Sequence, residues 1–334
     1  MKGNKNFLTL GIESSCDETG IGIISEDRKV ESNMIYSQAE IHDKYGGVVP
    51  EIASRKHLSK ISPLLMEALE SSGLEIGEID LVAATYGPGL VGPLLVGLSV
   101  GKGLSFGLDV PFIGVNHLEA HLFTHYLTGG FSPPFLALLV SGGHTCLVSV
   151  KDWGNYEVLG QTRDDAAGEA FDKVGYLTGL GYPAGRKIDS KSKSGDRKAI
   201  DFPRPMLDKG LDFSFAGLKT AVVQRRKEFD DPLNDLLASF QEAVVDTLLT
   251  KAFKASDMLG IDRLVVIGGV AANSRLREKF NWMANEKGKN IQFPELKYCT
   301  DNGIMTAVCG AYRYRNFGEK DDLELGPDPS LKLG

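Results

Sequence analysis

Cysteine is scarce in this chain. Cys16, Cys146, Cys299 and Cys309 are the four among 334 residues, far apart and never in a CxxC pair. That spacing excludes a zinc ribbon and a disulfide scaffold and fits a reducing cytosol. Positive charge is also in deficit, with 37 Lys or Arg against 44 Asp or Glu and a formal net charge of -7. Wholesale wrapping of nucleic acid needs a strongly basic surface, so any such contact must come from a local basic patch or a partner. The opening residues, Met1 to Phe7, are polar and lack the apolar stretch of a signal peptide. No GxxxxGK[ST] loop is present, which removes the P-loop nucleotidases. Ser141 lies in VSGGH, not GxSxG, so it does not sit on a nucleophile elbow. Long apolar runs are limited to Leu81 to Gly101, which carries no charge but contains Gly87, Pro88, Gly89, Gly92 and Pro93. Those breakers predict a strand, a GPG turn and a helix with Pro93 in its first turn, not a membrane span.

What is there is globular: 42% hydrophobic and 24% charged residues. The length favours two domains. The chain opens as strand, loop, strand (FLTLGIE, SSCDET, GIGIIS), and the pattern returns from Phe135 (FLALLVS, GGH, TCLVSV). Two such hairpins suggest a duplicated architecture, with domains 1–130 and 131–334 and a last helix able to pack back on the first. Helical spacing appears from Pro50 to Ser71, from Asn116, and along Leu233 to Leu259. LVVIGGVAANSRLREKF reads as strand, glycine turn, helix. Strands alternating with helices give an α/β class.

The sharpest chemical signal is NHLEAHLFTH. Asn116 is a good N-cap, and His117 and His121, four apart, then share one helix face, with His125 extending the row. Three of the six histidines fall within nine residues. Surface or core histidines are the plain alternative, but this clustering favours a divalent ion. A zinc protease needs HExxH, with the glutamate next to the first histidine; Glu119 is two residues on, about 200° round the helix, and that reading fails. Asp301 in TDNGIM is a candidate third ligand, with helix capping as its competing role. Two histidines and one carboxylate with open positions suit iron(II), and zinc or magnesium also fit. SSCDETG, SGGH and IGGVAANS are small-residue turns able to bring backbone amides to phosphate oxygens. Arg186 to Lys209 holds eight Lys or Arg against four Asp. It is a solvated loop by default and the best local candidate to meet an RNA backbone.

In this order, GIESSCDET, YGGVVPEIASRKH, GPGLVGPLLVG, NHLEAH, LLVSGGHT, DDAAGEAFDKV, FSFAGLKT, IGGVAANSRLR and TDNGIM resemble the universal tRNA threonylcarbamoyladenosine transferase family in its bacterial form, once labelled glycoproteases. The resemblance implies an actin-like, sugar-kinase (ASKHA) fold of two related domains with a nucleotide cleft between them. It implies transfer of a threonylcarbamoyl group from threonylcarbamoyl-adenylate to the exocyclic amine of adenosine 37 in tRNAs that read codons starting with A, with release of AMP in the cytoplasm. It further implies that His117, His121 and Asp301 hold one metal per subunit, iron in the usual description. Leu139, Val140, Ser141, Gly142 and Gly143 would meet the adenylate's phosphate and acyl part. Asp172, Gly185 and Asp189 would meet the ribose or acyl portion, and Asn273 would lie near the base. GYPAGRKID departs from the usual GYPGGP run, which touches Gly185 and Asp189. Implied partners are tRNA, an inactive paralogue forming a heterodimer, and a small P-loop ATPase. No general base is singled out: Glu13, Asp17 and Glu18 are candidates, and a solvated acidic loop accounts for them equally. A metabolite kinase of the same fold, or a non-catalytic nucleotide-binding paralogue, are the alternatives. Both leave the HxxxH and Asp301 set without a role.

Overall fold

The computed structural model describes residues 6–333, so most of the polar 1–7 opening lies outside the described residues. In chain order it runs β1 (Leu8–Glu13), β2 (Glu18–Ser25), β3 (Val30–Ser37), α1 (Ala39–Asp43), α2 (Pro50–Ser72), β4 (Leu81–Gly87), α3 (Val91–Leu108), β5 (Phe112–Asn116) and α4 (His117–Leu127). It continues with β6 (Phe135–Val140), β7 (Thr145–Asp152), β8 (Asn155–Gln161), α5 (Ala167–Leu177), α6 (Gly185–Ser192), α7 (Ala216–Glu228) and α8 (Leu233–Leu259). The last elements are β9 (Arg263–Ile267), α9 (Ser274–Lys287), β10 (Asn290–Gln292) and α10 (Gly303–Phe317).

The chain forms two compact units. One holds the residues up to Ile41, Val48–Thr128 and Asp301–Leu333; the other holds His42–Gly47 and Gly129–Thr300. Each unit has one five-stranded sheet, in the orders β3-β2-β1-β4-β5 and β8-β7-β6-β9-β10. The strand directions repeat as well: β1 is antiparallel to β2 and parallel to β4, and β6 is antiparallel to β7 and parallel to β9. The two hairpins read from the sequence are therefore the first two strands of equivalent sheets. The uncharged Leu81 to Gly101 stretch is divided as expected, into β4, a turn with a cis Gly87–Pro88 bond, and α3. The described α3 is long and apolar enough to cross a membrane by length and composition. It buries Leu94, Gly97, Leu98 and Gly101 along one face.

In the first unit, glycine decides how close the last helix comes. A Cβ on Gly11 of β1 would lie 2.2 Å from Gly303 O, and one on Gly22 of β2 would lie 2.4 Å from Ile304 N. Only a sheet surface without side chains at these points lets the first turn of α10 rest on backbone. That contact brings Asp301, just ahead of the helix, to the end of β1. In the second unit, Phe171, Phe213, Phe215, Phe240 and Phe280 fill the core between sheet and helices, and α8 runs through it with 27 residues.

Candidate functional site

β5 passes straight into α4, so the helix start is fixed by a strand. Asn116 caps it, its Oδ1 accepting from Leu118 N at 2.9 Å and Glu119 N at 3.3 Å, while its Nδ2 donates to Lys332 O. The first two turns then present His117 and His121 side by side, ring centroids 4.8 Å apart. On α10 the cap is Asn302, whose side chain accepts from Met305 N at 3.1 Å. The capping role weighed for Asp301 therefore belongs to its neighbour. Asp301 Oδ1 lies 3.1 Å from His121 Nε2 and 3.8 Å from His117 Nε2, and one ligand atom from each of the three lies within 4.8 Å of the others.

Whether these residues suit a cation can be judged from what surrounds them. His121 is fully buried and, apart from the approach of Asp301 to Nε2, its ring nitrogens make no hydrogen bond among the described residues, a costly state for an imidazole with no further ligand. His117 Nδ1 lies 3.1 Å from both Glu13 Oε2 and Ser15 Oγ, which points Nε2 toward Asp301. Burial works against a charged His117 ring, but the Glu13 and Asp301 carboxylates outweigh it and lift the group to about 9. The pocket thus stabilises positive charge where an ion would sit. Two imidazoles, one carboxylate and an oriented outer shell fit a divalent metal.

The three acidic candidates of the first hairpin do not form a solvated loop. Glu13 is 1% and Asp17 7% exposed. Glu13 is fully engaged: Oε2 also accepts from Thr85 Oγ1, and Oε1 accepts from Ser15 N, both at 2.6 Å. It orients His117. Burial and the adjacent Asp17 push the Glu18 carboxyl well above the usual range, while Ser37 Oγ donates to it at 3.2 Å. The tie to Ser15 and Thr85 joins residues up to 72 positions apart, and no spacing in the sequence announces it.

In the second unit the remaining predicted residues form a connected series. Leu139, Val140 and Ser141 are buried, so within their run only Gly142 and Gly143 are exposed. Ser141 N bonds His144 O and Ser141 O accepts from Gly168 N, leaving the amides of Gly142 and Gly143 outside the turn's own hydrogen bonds. Gly268, at φ 92°, brings the IGGVAANS turn against Val140 O. Asp172 accepts from Ala184 N at 2.8 Å, which fixes the start of α6 at Gly185. Asp189 accepts from Ser274 N and Oγ, and Asn273 caps α9 through Leu276 N while donating to Gln241. Two basic residues of the Arg186 to Lys209 stretch, Arg197 and Arg204, are ion-paired to carboxylates; Arg186, Lys187, Lys191, Lys193, Lys198 and Lys209 show no such pair among the described residues.

Comparison with known proteins places the chain in a family. The TsaD family, described as tRNA N6-adenosine threonylcarbamoyltransferase, matches residues 29–308. Enzymes of that name from Clostridioides difficile and Thermosipho africanus are 48% and 50% identical, each over 98% of this chain and 99% and 100% of their own lengths. Among solved structures, T. kodakarensis HypF superposes with a TM-score of 0.63 at 14% identity, covering 94% of this chain and 48% of HypF. Component A of Acidaminococcus fermentans (R)-2-hydroxyglutaryl-CoA dehydratase gives 0.59 at 13% identity, covering 92% and 99%. These two likenesses speak to the fold, which is of the actin-like, sugar-kinase (ASKHA) type.

Proposed function

This chain belongs to the tRNA N6-adenosine threonylcarbamoyltransferase family and is a transferase, and we propose that it carries the threonylcarbamoyl group from threonylcarbamoyl-adenylate to the exocyclic amine of adenosine 37 in tRNAs reading codons that begin with A. The observation that supports the reading most is the meeting of His117, His121 and Asp301, 184 positions apart at the extremes, around a space suited to a cation.

The adenine amine is a weak nucleophile because its lone pair is delocalised into the ring. The donor already carries a good leaving group, so the protein's work is to position the amine and stabilise developing charge. The amine nitrogen forms a bond to the carbamoyl carbon, the bond from that carbon to the phosphate oxygen breaks, and AMP departs with the electron pair. His117, His121 and Asp301 would hold the divalent ion, iron(II) by preference, which supplies Lewis-acid polarisation of a donor oxygen. Gly142 and Gly143 offer backbone N–H groups to the phosphate or acyl oxygens. Asp172, Gly185, Asp189 and Asn273 line the same unit for the ribose, acyl and base portions. Glu13 is committed to His117, so the proton leaving the amine goes to Asp17 or Glu18, the other two carboxyl groups of the hairpin.

The enzyme works in the cytoplasm with tRNA, an inactive paralogue as heterodimer partner and a small P-loop ATPase. The test is incubation with threonylcarbamoyl-adenylate and unmodified tRNA, with those partners, followed by nucleoside mass spectrometry. Modified adenosine and stoichiometric AMP are expected. Absence of the modified nucleoside ends the proposal, and phosphate transfer from ATP to a metabolite would replace it with a kinase.

A further inference from the structure

The HLEAH motif contains a residue that the site does not use. Glu119 lies between the two histidines in sequence, but about 200° round α4 from either ring. It is only 4% exposed, and its Oε2 accepts from Arg313 Nη1 at 2.8 Å. Arg313 belongs to α10, the helix that starts directly after Asp301 and Asn302. Its Nε donates to Glu319 Oε2 at 2.6 Å, so the guanidinium is held from both sides. Next to it, the Tyr312 ring packs 5.1 Å from both Phe123 and Tyr126 of α4. One side of α4 thus presents imidazoles, and another is gripped by the helix that positions the third ligand.

The geometry points to Glu119 and Arg313 as a positioning pair that sets the rotation of α4 against α10, and through it the spacing of His117 and His121 from Asp301. The inference rests on the reading that those three residues hold a divalent ion. A rotation of α4 by about 10° moves a group about 5–6 Å from the axis by about 1 Å. Ligand distances in a metal site are held to about 0.2 Å, so even this small rotation spoils the site while the helix stays folded.

The test is Co2+ titration of the metal-stripped, full-length protein, read by visible absorption and by competition with a chromophoric chelator, alongside thermal melts. Glu119→Gln keeps the shape of the side chain, and Arg313→Lys keeps the charge while losing the guanidinium fork. Both should bind Co2+ about 10- to 100-fold more weakly than wild type, the range seen when outer-shell partners of ligands are lost, with a changed ligand-field band. Lys279→Met breaks an ion-pair network with Glu242 and Asp246 in the second unit. It should lower the melting temperature and leave Co2+ affinity alone. Folded Glu119→Gln and Arg313→Lys proteins with wild-type affinity and spectrum overturn the positioning role and leave the metal site standing. An equal loss of affinity in Lys279→Met overturns it too, because the effect is then general destabilisation. A wild-type protein that takes up no Co2+ removes the metal site and this inference with it.

Discussion

The approach of α10 to the first sheet makes a prediction of opposite sign at two glycines. Gly11→Ala places a Cβ 2.2 Å from Gly303 O, 2.4 Å from Ala307 N and 2.7 Å from Ala307 Cβ. None of these is the end of a flexible side chain, so the helix itself must withdraw by about 1.5 Å to reach an ordinary contact distance of about 3.5–4 Å. Overpacking of this kind costs about 1–3 kcal/mol, and with backbone as the obstacle the upper end is expected. For a unit of this size that is a fall of about 6–12 °C in melting temperature. Because Asp301 precedes the displaced turn, Co2+ affinity should fall in the same variant. Gly103→Ala is the counterpart: Gly103 is exposed within α3 and a Cβ there meets nothing within 4 Å. Alanine should stabilise that helix by about 0.5–1 kcal/mol and leave the metal site untouched. Calorimetry with a Co2+ titration on both variants checks the pair. A Gly11→Ala protein that melts at the wild-type temperature refutes the claim that α10 rests on sheet backbone.

Asp301→Asn should abolish tight Co2+ binding with little change in melting temperature, whereas Asn302→Ala should cost about 1 kcal/mol by removing the α10 cap; chelator competition and thermal melts separate the two. Glu242 is held at about 2: burial would raise it, but hydrogen bonds from Arg275 and Lys279 prevail. Since its folded value lies below the unfolded one near 4.5, the stabilisation is complete above about pH 4.5 and is lost as pH falls toward 2. The wild-type minus Glu242→Gln difference, on the order of 1–2 kcal/mol after solvent screening, should shrink over that window in acid denaturation. The buried Lys251 donates to the carbonyls of Met206, Lys209 and Gly210, so Lys251→Met should destabilise the second unit by about 2–3 kcal/mol and open the 201–211 segment to limited proteolysis.

The elements that sequence reasoning found share one property: their signal is complete within a short window. The hairpins, the 23-residue α2, the 27-residue α8 and the start of α4 at Asn116 all carry their own periodicity or cap. β3 and β8 do not. VESNMIYS and NYEVLGQ are half-exposed, with only one fully buried position each, and a strand that borrows its burial from one neighbour leaves no apolar run to read. The site shows the same division. The His117 and His121 pair is a matter of four residues on one helix, but TDNG offers two adjacent cap candidates. Nothing within the tetrad decides that Asn302, not Asp301, caps the helix. Glu13 looked like part of a polar loop because its partners, Thr85 and His117, lie 72 and 104 residues downstream. Gly11 and Gly22 lie in the strands of the first hairpin, and the helix that needs them begins at Gly303. In each case the missing term is a contact between elements far apart in the chain. Such contacts are what turn a pair of histidines on a helix into a three-ligand site, so the ligands were easier to read than the groups that aim them.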